Sequence, residues 1–163
     1  MSLYYIILTI HILAAMTWIG GMIFLSLVAT PAFRGLEPQM RARLFTAVGR
    51  RFRWVGWACI AILVSTGLMN LAQYGVGPGD LLDASFWSIQ FGSRLALKLT
   101  LVATMLLLSA LHDFVLGPRS TALSRSAADP QRAASFRRRV SWLARLSLVL
   151  GVLVVWTAVG LTR

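Results

Sequence analysis

The chain has 163 residues, of which 58% are hydrophobic and 13% are charged, and it carries a net charge of +11 at pH 7. This composition is too apolar for a soluble globular domain. Its basic residues cluster in the connections between apolar runs, which argues against a nucleic-acid-binding role. The single cysteine, Cys59, excludes an intrachain disulfide and a cysteine metal cluster.

Four apolar runs predict four membrane spans. Each is long enough, at about 20 residues or more, to cross the bilayer core as a helix. We therefore expect a single all-α membrane domain over residues 1–163, retained in lipid without a cleaved leader. Short connections favour an up-down-up-down four-helix bundle. The predicted spans lie at about residues 3–30, 54–74, 89–115 and 140–161.

The charges in the connections predict the orientation. The first and third connections are rich in arginine, whereas the second carries only the acids Asp80 and Asp83. Arginine-rich short loops stay on the cytoplasmic side. We expect both termini on the outer, periplasmic side of a bacterial inner membrane, with the basic loops near anionic lipid.

The first connection predicts a helix break and a surface segment. Pro31 and Gly35 are expected to break the first helix near the membrane interface. Residues 37–53 then place apolar side chains at helical spacing against arginines, which predicts a short amphipathic segment on the inner membrane surface.

Small residues in two spans predict close helix contacts. Such residues let backbones approach in lipid. They serve either packing within one bundle or the seam of a homodimer. They are Ala14, Ala15, Gly20 and Gly21 in the first span, and Gly151 and Gly160 in the fourth.

Ionisable residues inside spans are costly and usually face the bundle interior. "IHILAAMTWIGG" places His11 in an otherwise apolar run. At about 100° per residue, one stripe of the third span contains Arg94, Lys98, Met105, Ser109 and His112, which we expect to face inward.

The depths of these residues predict a metal site in the outer half of the membrane. His11 lies about 12 Å into its span at 1.5 Å per residue, and Lys98 lies at a similar depth. On the second span, which runs in the opposite direction, Met69 lies at a similar depth. His112 lies about 21 Å deeper than Lys98, so straight helices cannot bring both histidines of one chain to one iron.

An interior imidazole is a common ligand of haem iron, and a four-helix interior accommodates a flat apolar cofactor. We expect a haem with His11 as an axial ligand and Lys98 as a second. Arg94 is placed to meet the haem propionates, and Trp18, on the same face of the first span as His11, is placed to wall the haem ring. His112 is a further candidate ligand, for a second haem, or an interface residue.

Two other interpretations remain open from the residues. Copper(I) accepts sulfur and imidazole ligands, and Met69 near His11 keeps copper possible. Alternatively, His11 only hydrogen-bonds a neighbouring helix and Lys98 extends towards the interface, in a structural protein without a cofactor. No P-loop, nucleophile elbow or HExxH motif is present, and the acids lie almost entirely in loops.

The stretches "HILAAMTWIGGMIFLSLVATPAFR" and "LEPQMRARLFTAVGRRFRWVGWACIAILVSTGL" resemble the small CopD-like membrane proteins. The layout also resembles the HemJ-type protoporphyrinogen oxidases, through His11, Trp18, Gly67-Leu68, Lys98 and His112. The first resemblance implies copper uptake. The second implies haem b ligated by the histidine and the lysine.

The sequence therefore predicts a membrane-embedded b-type haem protein with a redox role. It would transfer electrons to an unknown redox partner or oxidise a small lipophilic substrate. The alternatives are CopD-type copper transport or handling, a HemJ-type porphyrinogen oxidase, and a cofactor-free structural protein.

Overall fold

The structure, a computed structural model, describes residues 2–120 and 130–161, and it is helical with no strand in those ranges. The chain divides into two compact units, Met1–Ser88 and Ile89–Arg163, called unit 1 and unit 2 below. Four of the described helices are long and apolar enough to cross a membrane. This confirms an all-helical protein with four membrane-capable helices.

In unit 1, helix α1 spans Leu3–Arg34 and includes a π-helical turn at Leu25–Ala29. The prediction that Pro31 breaks this helix is wrong. Proline lacks the N–H that a helix interior requires, and the wider turn just before it accommodates this defect. Both the backbone N–H and the hydroxyl of Thr30 donate to the carbonyl of Leu25, the latter at 2.7 Å. The helix ends instead at Arg34, before Gly35.

Helix α2 spans Pro38–Gln73 without interruption. The expected amphipathic segment at residues 37–53 is therefore not a separate element but the first half of α2. Its 36 residues correspond to about 54 Å, whereas a bilayer core is about 30 Å thick. Part of α2 consequently extends beyond any hydrocarbon layer that its apolar half crosses.

Helices α1 and α2 are antiparallel, because residues later in α1 contact residues earlier in α2. Tyr4, near the start of α1, lies beside Tyr74, just past the end of α2. Further along α1, Gly21 meets Phe52. The buried side chains of α1 include Ile7, Ala14 and Trp18, which recur at the helical spacing of one face.

Unit 1 ends in a short helix α3 at Pro78–Leu82 and a 3₁₀ turn at Phe86–Ser88. In this polar segment Asp83 accepts hydrogen bonds from the backbone and hydroxyl of Ser85, at 2.9 and 2.8 Å. These bonds lower the pKa of the Asp83 carboxyl, because they stabilise its charged form.

Unit 2 contains helix α4 at Gln90–Ser120, with a second π-helical turn at Leu111–Leu116, and helix α5 at Pro130–Leu161. The two helices pack against each other. Helix α5 begins about ten residues before the span predicted at 140, and its membrane-capable part is Arg138–Val159. The buried residues of α4 are Gly92, Leu95 and Met105, and those of α5 include Ser147 and Gly151.

Most of the large apolar side chains on these helices are exposed, as expected for surfaces that face lipid. Leu13, Leu107 and Trp156, for example, are 56%, 72% and 78% exposed. The apolar helices are consistent with a lipid bilayer as their surroundings.

Candidate functional site

His11 lies on the face of α1 that packs against α2, between Ile7 and Ala14, and is half-buried. Its ring nitrogen Nδ1 is 2.8 Å from the hydroxyl oxygen of Thr66 on α2. This hydrogen bond joins residues 55 positions apart and crosses the helix interface. His11 therefore does not point into lipid; the fold fixes its ring against the partner helix.

Thr66 is 7% exposed and belongs to the core of unit 1. Its hydroxyl donates to the carbonyl of Ile62 one turn earlier, at 2.6 Å, with a longer contact of 3.5 Å to the carbonyl of Leu63. Threonine commonly bonds back to its own helix in this way within apolar surroundings. The hydroxyl thus connects the imidazole of α1 to the backbone of α2.

At three levels of the interface between α1 and α2, a ring on one helix lies against a glycine on the other helix. A Cβ at Gly67 would lie 3.6 Å from His11 Cε1, and one at Gly56 would lie 3.3 Å from Trp18 Nε1. A Cβ at Gly21 would overlap the ring of Phe52. We call these three ring–glycine pairs the ring–glycine seam. Small residues permit this close approach of two helices in lipid.

Trp18, predicted to lie on the face of His11, occupies that face and is 6% exposed. It packs against Gly56 within the seam. In unit 1 its observed role is therefore packing. Its role as a wall for a cofactor stays a prediction.

Two further residues of α2 lie near Thr66. Asn70 follows it by one turn, so the two side chains share a face. Within residues 2–120 and 130–161 the buried Oδ1 of Asn70 has no hydrogen-bond partner. Met69, predicted as a cofactor contact, is 49% exposed. Thr66 and Gly67 are two residues of α2 that meet His11.

In unit 2 the predicted stripe of α4 has mixed surroundings. Met105 is 2% exposed, Lys98 is half-buried and Arg94 is exposed. His112 lies in the π-helical turn, where its Nδ1 is 3.1 Å from Oδ1 of Asp113, the next residue. The predicted roles of Arg94, Lys98 and His112 as cofactor contacts or ligands remain predictions.

Histidine, cysteine and acidic side chains are common ligands of protein-bound metal ions. In the described part of the chain, no group of three or more histidine, cysteine, aspartate or glutamate side chains is placed to hold a metal ion. Cys59 is buried on α2.

These features define a polytopic α-helical membrane protein with a histidine fixed at a helix–helix interface. The family described as "Copper resistance protein D" matches residues 46–161. The chain belongs to this family. The matched region begins within α2, so it contains Thr66, Met69, Lys98 and His112 but not His11.

A protein of Aquifex aeolicus (strain VF5), described as uncharacterized, is 30% identical over 155 residues. The alignment covers 93% of this chain and 90% of that protein. No solved structure matches the chain.

Proposed function

We propose that this chain handles a transition metal within the membrane and that His11 is its protein ligand. The observation that carries the proposal is the hydrogen bond between His11 Nδ1 and Thr66. Histidines that ligate metals usually bond a second protein group through their other ring nitrogen, which fixes the ring. His11 lies within the ring–glycine seam among apolar side chains, and an ionisable group in such surroundings supports a functional role.

Copper handling is the first candidate, because membership in the copper resistance protein D family suggests copper resistance or handling. Copper(I) accepts imidazole and thioether ligands at low coordination number. Copper would be cargo that passes through the protein, so a complete cage of three or four ligands is not needed.

A b-type haem with a redox role is the second candidate. Haem brings four nitrogen ligands of its own, so one imidazole suffices and a second protein ligand is optional. His11 would hold the iron, which supplies electron transfer when bound. The sequence-based predictions for Lys98, Arg94, Trp18 and Met69 belong to this candidate, as does oxidation of a small lipophilic substrate, including a porphyrinogen.

We further propose an up-down-up-down arrangement in a bacterial inner membrane with both termini outside, on the strength of the arginine asymmetry. Single cysteines at Ser2 and Ser120, in a Cys59→Ala background, test it with an impermeant maleimide on intact cells. We expect labelling at position 2. Labelling at position 120 alone would contradict the orientation.

One preparation distinguishes the two metal candidates. The protein is purified from cells supplied with copper and with a haem precursor, and its absorption spectrum and copper content are both measured. A Soret band that shifts on reduction would identify haem. Copper near one atom per chain without a Soret band would identify copper handling. Absence of both would contradict the proposed function and favour a structural protein.

A further inference from the structure

We propose that Thr66 is a positioning residue that holds His11 in its Nδ1–H tautomer and thereby presents the Nε2 lone pair to the metal. This inference rests on the proposed function, in that the metal gives the presented nitrogen its role. The hydrogen bond itself does not depend on a metal.

Proton counting along the chain of contacts gives the tautomer. A hydroxyl carries one proton, and a backbone carbonyl only accepts. The 2.6 Å contact between the Thr66 hydroxyl and the Ile62 carbonyl therefore uses the hydroxyl proton. At 2.8 Å from His11 Nδ1, the same oxygen must then accept. The proton of a neutral imidazole consequently sits on Nδ1, and Nε2 carries the lone pair.

Because Thr66 is buried, solvent water does not compete for the hydrogen bonds of its hydroxyl, and this supports the assignment of the proton to Nδ1. At 7% exposed, its hydroxyl sits in an apolar interface where an unmade hydrogen bond is costly. If the hydroxyl donated to Nδ1 instead, two oxygens would face each other at 2.6 Å without a proton between them. Both bonds are satisfied together only in the Nδ1–H tautomer.

Gly67 supports the same orientation from the next position of α2. The His11 Cε1 edge lies beside the α2 backbone at this position, since a Cβ there would stand at an ordinary contact distance of 3.6 Å. The ring is thus held by the hydrogen bond at Nδ1, with the backbone of α2 beside its Cε1 edge.

The first measurement reads the tautomer directly. The chain has two histidines, so a His112→Gln background with ¹⁵N-histidine labelling leaves the imidazole of His11 as the sole labelled ring. Nitrogen chemical shifts of the purified, metal-free full-length protein in micelles then report which nitrogen carries the proton. We expect protonated Nδ1 and unprotonated Nε2. Protonated Nε2 would overturn the proposal.

The second measurement compares two substitutions in the otherwise unaltered chain. Thr66→Val keeps the side-chain shape and removes the hydroxyl, whereas Thr66→Ser keeps the hydroxyl. The full-length proteins are titrated with haem and with copper(I), and we expect Thr66→Val to bind whichever of the two the unaltered protein binds at least about tenfold more weakly, as for other groups that orient a metal-binding histidine. Thr66→Ser should retain most of the affinity. Equal affinity in Thr66→Val and the unaltered protein would overturn the positioning role.

The two measurements separate failure of this inference from failure of the proposed function. If the unaltered protein binds neither haem nor copper, the proposed function falls, and with it the role of Thr66 towards a metal. The tautomer measurement uses metal-free protein and still decides whether the hydrogen bond exists. If Thr66→Val does not fold, the tautomer of the Thr66-containing protein and the Thr66→Ser affinity still test the proposal.

Discussion

The two units solve the same packing problem in different ways. In unit 1, three rings lie against glycines of the partner helix, and a histidine bonds across the interface to Thr66. In unit 2, the buried positions are filled by Gly92, Leu95, Met105, Ser147 and Gly151, and His112 bonds the adjacent Asp113 on its own helix. The orientation of His11 is therefore set by the tertiary structure, whereas the bond of His112 is local.

This difference separates two histidines that look alike in the sequence. A ring that is fixed by a distant residue is prepared to bind a ligand without further ordering, which lowers the cost of binding. The contact between His112 and Asp113 involves side chains that are 35% and 22% exposed. Both residues lie in one π-helical turn of α4, so this contact does not depend on the packing of two helices. The comparison therefore favours His11 in unit 1 over His112 in unit 2 as a preorganised ligand-binding residue.

The largest effect is expected from filling the ring–glycine seam. Gly56→Leu would press against Trp18, which is buried and cannot readily move. Overpacking of this kind costs about 1–3 kcal/mol. The matched control is Gly49→Leu on the same helix, where nothing lies within 4 Å of an added Cβ. Both variants remove a helical glycine, so the gain in helix propensity is shared.

Thermal unfolding of the two full-length variants in detergent provides the measurement. Gly56→Leu is expected to unfold at a lower temperature than the unaltered protein, and Gly49→Leu at the same or a higher one. Equal melting temperatures for the two variants would show that the seam does not hold unit 1 together.

A smaller effect is expected in unit 2, at Lys98. If the metal is haem iron and Lys98 ligates it, Lys98→Met should change the visible spectrum and raise the reduction potential, because a thioether ligand favours the reduced iron relative to an amine. Leu99→Met adds the same thioether at the next position, which is 46% exposed. Spectra of Lys98→Met that are unchanged in both oxidation states would remove Lys98 from the coordination sphere.

The smallest effect is expected at Asp83, outside the spans. The hydrogen bonds from Ser85 lower the pKa of Asp83. Their contribution is therefore present above the ordinary carboxyl pKa and is lost as the pH falls through the lowered value. Ser85→Ala removes the hydroxyl bond and keeps the backbone bond. It should raise the pKa of Asp83 towards its ordinary range in an NMR titration, with at most a small loss of melting temperature at neutral pH, where the contribution is present. An unaltered pKa would show that the hydroxyl bond does not form in solution.

The sequence predicted the four membrane-capable helices because an apolar run of this length is typical of a membrane-spanning helix. It predicted helix boundaries less well. Pro31 continues α1, and a π-helical turn at Leu25–Ala29 lies directly before it; local π-helical adjustment of this kind lets an apolar helix accommodate proline. The basic stretch before residue 54 joins α2 because no proline interrupts it after Pro38. Charge in a connection marks the membrane boundary and does not end a helix.

The sequence also singled out His11 but missed its partner. Thr66 and Asn70 are two polar residues one turn apart within an apolar run, "STGLMN", and that spacing was a usable signal. The register that brings Thr66 opposite His11 was not predictable. Several small residues in both spans allow different registers, and the observed one depends on Trp18 meeting Gly56 and Phe52 meeting Gly21 together.

The central claim is that His11 binds the metal, and His11→Gln tests it most directly. Glutamine can keep a hydrogen bond to Thr66 but is a poor ligand for haem iron or copper(I). Thr9→Gln is the control, since it places the same amide on an exposed position of the same helix. Copper by elemental analysis and haem by pyridine haemochrome are measured per chain in both variants. We expect Thr9→Gln to retain the bound metal and His11→Gln to lose most of it. Full metal content in His11→Gln would contradict the account and leave His11 as a packing residue that hydrogen-bonds Thr66.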